Sequence, residues 1–287
     1  MRELVTMWRS TQMIVLTVLI AAVYAAVIVP LKAIPLVPGF TEIRVAPAIL
    51  PVASLLFGPA AAWGAAFGNL IADFFGTFGP GSLPGFVGNF FLGAAPYVLW
   101  GRLGPLSSGQ EPAMTSGRQV LEFLILVVVS ALAGATMIAW GLEVLRFFPF
   151  TVLGTIIAFN NILVPGVVGW ILLRLLYRRV KRMGLIWTDV MPRDEIGTGR
   201  GALGAATLVV GAVGGWTVGM ITSAGAGGRL GIPGFGQPGG DPTVVSAVAP
   251  FIGLLLLSLL LCRARPELFG EGGDEGGGWD DGSLRVD

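Results

Sequence analysis

Eight apolar stretches alternate with short polar or Gly/Pro-rich connections, at residues 13–31, 45–56, 60–75, 86–100, 120–142, 150–176, 202–223 and 244–261. A membrane-crossing helix needs roughly 20 mostly apolar residues. The pattern therefore predicts an all-α integral membrane protein. The second stretch is short and carries Pro47 and Pro51. It turns into the third at Phe57-Gly58-Pro59, a turn signal inside apolar sequence. The loop TFGPGSLPG leads to the fourth, and a polar connection over 102–118 leads to the fifth. The sixth ends at the basic cluster RRVKR, residues 178–182.

After the sixth stretch the composition shifts. The expected organisation is a six-span domain over 1–183, a cytoplasmic linker over 184–201 and two extra transmembrane helices with a Gly-rich outer loop over 202–262. Residues 263–287 are acidic and Gly-rich, a composition expected to stay disordered. The run after Arg9 is too long for a cleavable signal. With the N-terminus in the cytoplasm, most Lys and Arg fall inside; only Lys32, Arg44, Arg146 and Arg229 fall outside. That asymmetry predicts cytoplasmic N- and C-termini and an even number of spans.

Composition sharpens the class. The chain is 54% hydrophobic and only 12% charged, against about 25% charged for a soluble domain. A net charge of +1 gives no reason to expect a nucleic-acid partner. The single cysteine, Cys262, rules out an intrachain disulfide and a cysteine metal cluster. The absence of histidine removes Ser-His-Asp and Cys-His catalysis and histidine-liganded zinc. No catalytic residue and no metal site is expected, and the chain does not read as an enzyme.

Small residues recur at four-residue spacing, which lets helix backbones approach closely in a membrane. The third span carries Gly64, Gly68, Ala72 and Gly76, and the seventh carries Gly211, Gly215 and Gly219. The first carries two interleaved pairs, Ala21/Ala25 and Ala22/Ala26. These alanines either pack inside the bundle or form a docking face for another membrane protein.

Polar groups inside this apolar sequence need partners or water, because a charge at membrane depth costs roughly 2.5–3.5 kcal/mol on insertion scales. Asn69 and Asp73 lie one turn apart on one helix face. Asn89 sits one turn into the fourth span, and Asn160 and Asn161 sit mid-way along the sixth, before Pro165-Gly166. Amides donate and accept at once, so amides from three spans suit a neutral ligand with several polar groups. They equally suit carbonyls freed at a helix break. Glu42 and Arg44 precede the second span and would either pair over the site or contact a charged ligand group. Tyr97, with Tyr24 and Trp100, would stack on a ring or anchor a span end. Glu122 and Glu143, near the ends of the fifth span, are expected at the membrane interface. No G-x-x-x-x-G-K-[ST] motif occurs. Uphill transport would then draw on ATP hydrolysed by another chain, or on an ion gradient coupled through Asp73 or Glu42.

Several segments together resemble the S components of energy-coupling factor (ECF) transporters. They are the alanine pairs of the first span, R-V-x-x-A before a short second span, LFGPAAAWGAAFGNLIADFF, GFVGNFFLGAAPYVLW, and N-x-x-x-P-G in a sixth span ending in a basic cluster. The segment YAAVIVPLKAIPLVPGFTEIRVAPAILPV looks most like the group for queuosine precursors, and LFGP followed by GNL is similar to the riboflavin-type members. The resemblance covers about residues 12–183. It implies a membrane-embedded subunit that binds a vitamin-like or nucleobase-like micronutrient from outside. Such a subunit associates with a transmembrane coupling protein and two ATPase subunits, which use the ATP, and topples to release its ligand inward. It further implies that Ala21, Ala22, Ala25 and Ala26 face the coupling protein and that residues 37–44 gate the site. Ligand contacts would come from Glu42, Arg44, Asn69, Asp73, Asn89, Tyr97, Asn160 and Asn161. An ion-coupled secondary transporter is the alternative. The two extra spans depart from the six-helix pattern.

Overall fold

Apolar residues run all round α1 (Thr11–Leu31), and the chain around it is a helical bundle. The computed structural model describes residues 1–31, 35–37, 41–42, 46–196, 201–226 and 240–269. After α1, β1 (Pro35–Val37) pairs antiparallel with β2 (Thr41–Glu42). The helices α2 (Ile49–Phe57), α3 (Pro59–Asp73), α4 (Ser82–Leu99) and α5 (Gly117–Val144) follow. The next span is α6 (Phe150–Val164), a π-helical turn over Pro165–Gly169 and α7 (Trp170–Arg182). Pro165 lacks the N–H that an α-helix needs. The expected break is thus taken up as a single π-helical turn rather than an interruption. The last two spans are α8 (Gly201–Val209), continued through a second π-helical turn by α9 (Gly215–Ala226), and α10 (Pro242–Leu261).

Six of these helical runs are long and apolar enough to cross a membrane. The second and third predicted spans are shorter. At 9 and 15 residues, α2 and α3 extend about 14 and 22 Å at 1.5 Å per residue, less than the roughly 30 Å apolar core of a bilayer. They are joined by Gly58, whose φ of 49° favours glycine, and a Cβ there would meet the Trp187 ring at 2.7 Å.

The glycine stripe of α3 packs on α1. A Cβ on Gly68 would meet the Ala21 carbonyl oxygen at 2.8 Å, and one on Gly64 would meet Ile20 at 2.7 Å. Ala21 and Ala25 are buried by this contact face of α1, whereas Ala22 and Ala26 are exposed. The four alanines therefore split into an inner pair that packs the bundle and an outer pair that faces away from it.

Two segments pack at the end that carries the N-terminus. In the polar stretch after α7, Trp187 is fully buried, edge-on to Tyr97 and Phe269. The start of the expected disordered tail is likewise held. Arg102 Nε donates to the Arg263 carbonyl at 2.7 Å, Arg265 donates to the Gly101 carbonyl at 2.9 Å, and the Tyr177 hydroxyl donates to the Phe269 carbonyl at 3.0 Å. Phe269 is an apolar anchor with no exposed surface.

Candidate functional site

The last turn of α3 and the first turns of α4 bring the first polar pair into place. Asn69 and Asp73 are 5% and 9% exposed, and the Asn69 amide donates to Asp73 Oδ2 at 3.3 Å. Thr77, one turn further on, donates to Asp73 Oδ1 at 3.0 Å. The pair fits beneath α4 because residue 85 is glycine: a Cβ there would approach Asn69 Nδ2 to 3.2 Å. Asn89, one turn deeper, donates to the Gly85 carbonyl at 2.8 Å and accepts from the Tyr24 hydroxyl at 2.8 Å. Tyr24 thereby fixes the Asn89 amide from α1 and leaves its carbonyl end oriented within the bundle.

The facing wall comes from α5 and α6. Asn69, Asp73, Asn89, Asn160 and Asn161 line one cavity of about 280 Å³ together with apolar side chains that include Ile138, Leu142, Phe148 and Ile157. Its rim holds exposed Thr77 and Phe147, at the end of the bundle away from the N-terminus. Asn161 is 5% exposed, and its Nδ2 donates back to the Ile157 carbonyl at 2.7 Å. Its Oδ1 is buried with no hydrogen-bond partner among the described residues. A buried acceptor without a donor costs roughly 1–3 kcal/mol.

This is a small cavity with apolar walls and a few convergent polar groups, the composition expected of a small-molecule site. Four amides supply both donors and acceptors, and one carboxylate supplies an acceptor. Among the described residues no group of three His, Cys, Asp or Glu side chains converges to hold a metal ion.

Five of the eight candidate ligand residues thus share one cavity. Tyr97 does not join them. It is fully buried toward the opposite end of α4, where its hydroxyl lies 3.5 Å from the Met1 sulfur and its ring meets Trp187. It serves the core there because eight residues of helix, about 12 Å, separate it from Asn89. Arg44 lies outside the described residues, as does the Glu42 side chain; only the Glu42 backbone is described, in β2. The expected gate over 37–44 falls largely there too. Thr77 and the phenylalanines of the α5–α6 corner carry no sequence signal for the site, and Tyr24 stands out only as a ring-stacking or anchoring residue, not as the donor to Asn89. Tyr24 shares a helix face with Ala21 and Ile28.

The two glutamates near the ends of α5 are buried within the protein. Glu122 accepts from the Gly101 and Ser108 N–H groups at 2.7 and 2.6 Å. Glu143 accepts from the Phe150 N–H at 2.5 Å and from the Gly240 and Asp241 N–H groups at 2.8 and 2.9 Å. Main-chain donors at loop corners replace water for both carboxylates.

No curated protein and no solved structure matches the chain significantly. A family model described as QueT transporter matches residues 14–178, which spans α1 to α7 and every residue that lines the cavity. The chain belongs to the QueT transporter family, a group of S components of ECF transporters.

Proposed function

We propose that this chain is the membrane-embedded substrate-binding subunit of an ECF-type importer and that it captures a queuosine precursor, a nucleobase-like heterocycle, in the cavity between α3, α4, α5 and α6. The observation that carries this reading is the convergence of four amides and Asp73 on one apolar-walled cavity inside the segment matched by the family model. A flat heterocycle with several donors and acceptors meets amides on its edge and the Ile138, Leu142 and Ile157 side chains on its faces. Asn161 Oδ1, buried without a donor among the described residues, is an acceptor suited to a ligand N–H.

The end that carries the N-terminus is the cytoplasmic one, which supports entry of the ligand from outside: Arg102, Arg118 and the basic cluster of α7 all lie at that end. Ala22 and Ala26, exposed on α1, are the part of the alanine motif available to a transmembrane coupling protein. ATP is used by the partner ATPase subunits, and this chain itself binds and releases without catalysing a reaction. The test is uptake of labelled queuosine precursor by cells that express this chain with and without the coupling protein and ATPases. Uptake only with the partners is expected. Equal uptake without them would overturn the reading in favour of ion-coupled transport.

A further inference from the structure

The matched segment ends at residue 178, yet α8, α9 and α10 are joined to it through specific contacts. Thr136 of α5 donates to the Ala212 carbonyl at 3.2 Å, and Trp140 donates to the Val245 carbonyl at 3.0 Å. Trp216 of α9 donates to the Gly154 carbonyl of α6 at 3.0 Å, and the Thr151 N–H donates to Ser223 Oγ at 3.2 Å. The backbones approach closely: a Cβ on Gly215 would meet Thr136 at 2.7 Å, and one on Gly219 would meet the Phe150 ring at 2.4 Å. These contacts lie on α5 and α6, the two helices that supply one wall of the cavity.

The corner between those helices is where the contacts converge. Glu143 ends α5 and takes the first main-chain N–H of α6, from Phe150, on one oxygen. Its other oxygen takes the N–H groups of Gly240 and Asp241, which lead into α10. Asp241 in turn caps α10 through the Thr243 N–H at 2.7 Å. The residues between the two ends, Phe147 and Phe148, line the cavity, as do Leu153, Ile156 and Ile157 just inside α6. One buried carboxylate therefore ties the extra helices to the mouth of the cavity.

We infer that the two C-terminal spans are a brace for the cavity wall, with Glu143 as the positioning residue that locks the α5–α6 corner to the start of α10. The brace holds Phe147, Phe148 and the first two turns of α6 in register, and with them Asn160 and Asn161. Its effect on ligand retention rests on the functional reading above; its effect on the corner does not. Glutamine at 143 keeps one acceptor oxygen and replaces the other with a donor, so it cannot hold both sets of N–H groups.

The experiment is hydrogen exchange on the full-length protein in lipid nanodiscs, comparing wild type with Glu143→Gln and with the milder Ser223→Ala, which removes the acceptor of the Thr151 N–H. Amides over 147–157 exchange roughly ten-fold faster or more in Glu143→Gln, while amides of α3 and the first turns of α4 keep their rates; Ser223→Ala gives a smaller rise in the same segment. Unchanged exchange over 147–157, or a uniform rise throughout the bundle, overturns the brace. In parallel, the dissociation rate of labelled queuosine precursor is measured. If Glu143→Gln speeds exchange at the corner while dissociation from it matches wild type, the brace does not serve binding and the inference fails. If wild type retains no precursor, the functional reading fails and the exchange data alone decide the brace.

Discussion

Replacing Asn161 with leucine separates an amide that waits for a ligand from one that only supports its helix. The side chain is buried, its Nδ2 bonds the Ile157 carbonyl at 2.7 Å, and its Oδ1 lacks a donor among the described residues. In the empty protein, leucine removes a desolvated acceptor worth roughly 1–3 kcal/mol of penalty and gives up a bond worth about 0.5–1.5 kcal/mol. The two changes nearly offset, or leave a gain of about 1 kcal/mol, because the Ile157 carbonyl keeps its place in the helix. With ligand bound, the balance reverses. The variant loses an acceptor to the ligand, so affinity falls by about 1–3 kcal/mol, roughly 5- to 150-fold. The assay pairs thermal melting of the empty, detergent-purified protein with equilibrium binding of labelled queuosine precursor. Equal or higher stability together with weaker binding is expected. A variant that melts lower by more than about 1 kcal/mol of stability yet binds as wild type does would refute the argument and make Asn161 a purely structural amide.

Gly68→Leu drives a side chain into the Ala21 carbonyl, only 2.8 Å from the position of a Cβ. It should cost roughly 1–3 kcal/mol or more and reduce the yield of folded protein in size-exclusion profiles. Ala22→Trp and Ala26→Trp, on the exposed face of α1, should leave melting and ligand binding intact and abolish uptake. Ala25→Trp, on the buried face, should lower stability itself; equal effects from both faces would contradict the division of the alanine motif. Burial pushes the Cys262 thiol up to about 12, so its thiolate fraction at pH 8 is roughly one in ten thousand. Maleimide should label the native protein hardly at all at pH 8, and more only as the pH approaches that value or the protein is denatured. Rapid labelling of folded protein at pH 8 would show that the contact of Cys262 with Gly204 opens in solution.

The sequence carried the membrane class, the turn at Gly58 and most of the polar site because these are local signals. Asn69 and Asp73 share a face by spacing alone, and Asn89, Asn160 and Asn161 stand out as amides in apolar helices. Depth along a helix is not local, so Tyr97 reads as a site residue from sequence although it lies two turns away in the core. Long-range partners are not local either. Spacing shows Glu143 near a span end, but not that the N–H groups of Gly240 and Asp241, 97 and 98 positions downstream, are its partners. The Gly215 and Gly219 stripe announces packing, but only the fold shows that Thr136 and Phe150 receive it. The anchored stretch over 263–269 was hidden because its composition shades into the acidic, Gly-rich tail that follows.

The central claim is that the amide-lined cavity holds a queuosine precursor, and small-molecule mass spectrometry of the purified protein tests it most directly. Wild-type protein extracted gently from cells supplied with the precursor should release it close to one per chain, and Asn161→Leu should release far less. Protein that emerges empty from enriched cells, or wild type and variant that carry the same amount, would contradict the account.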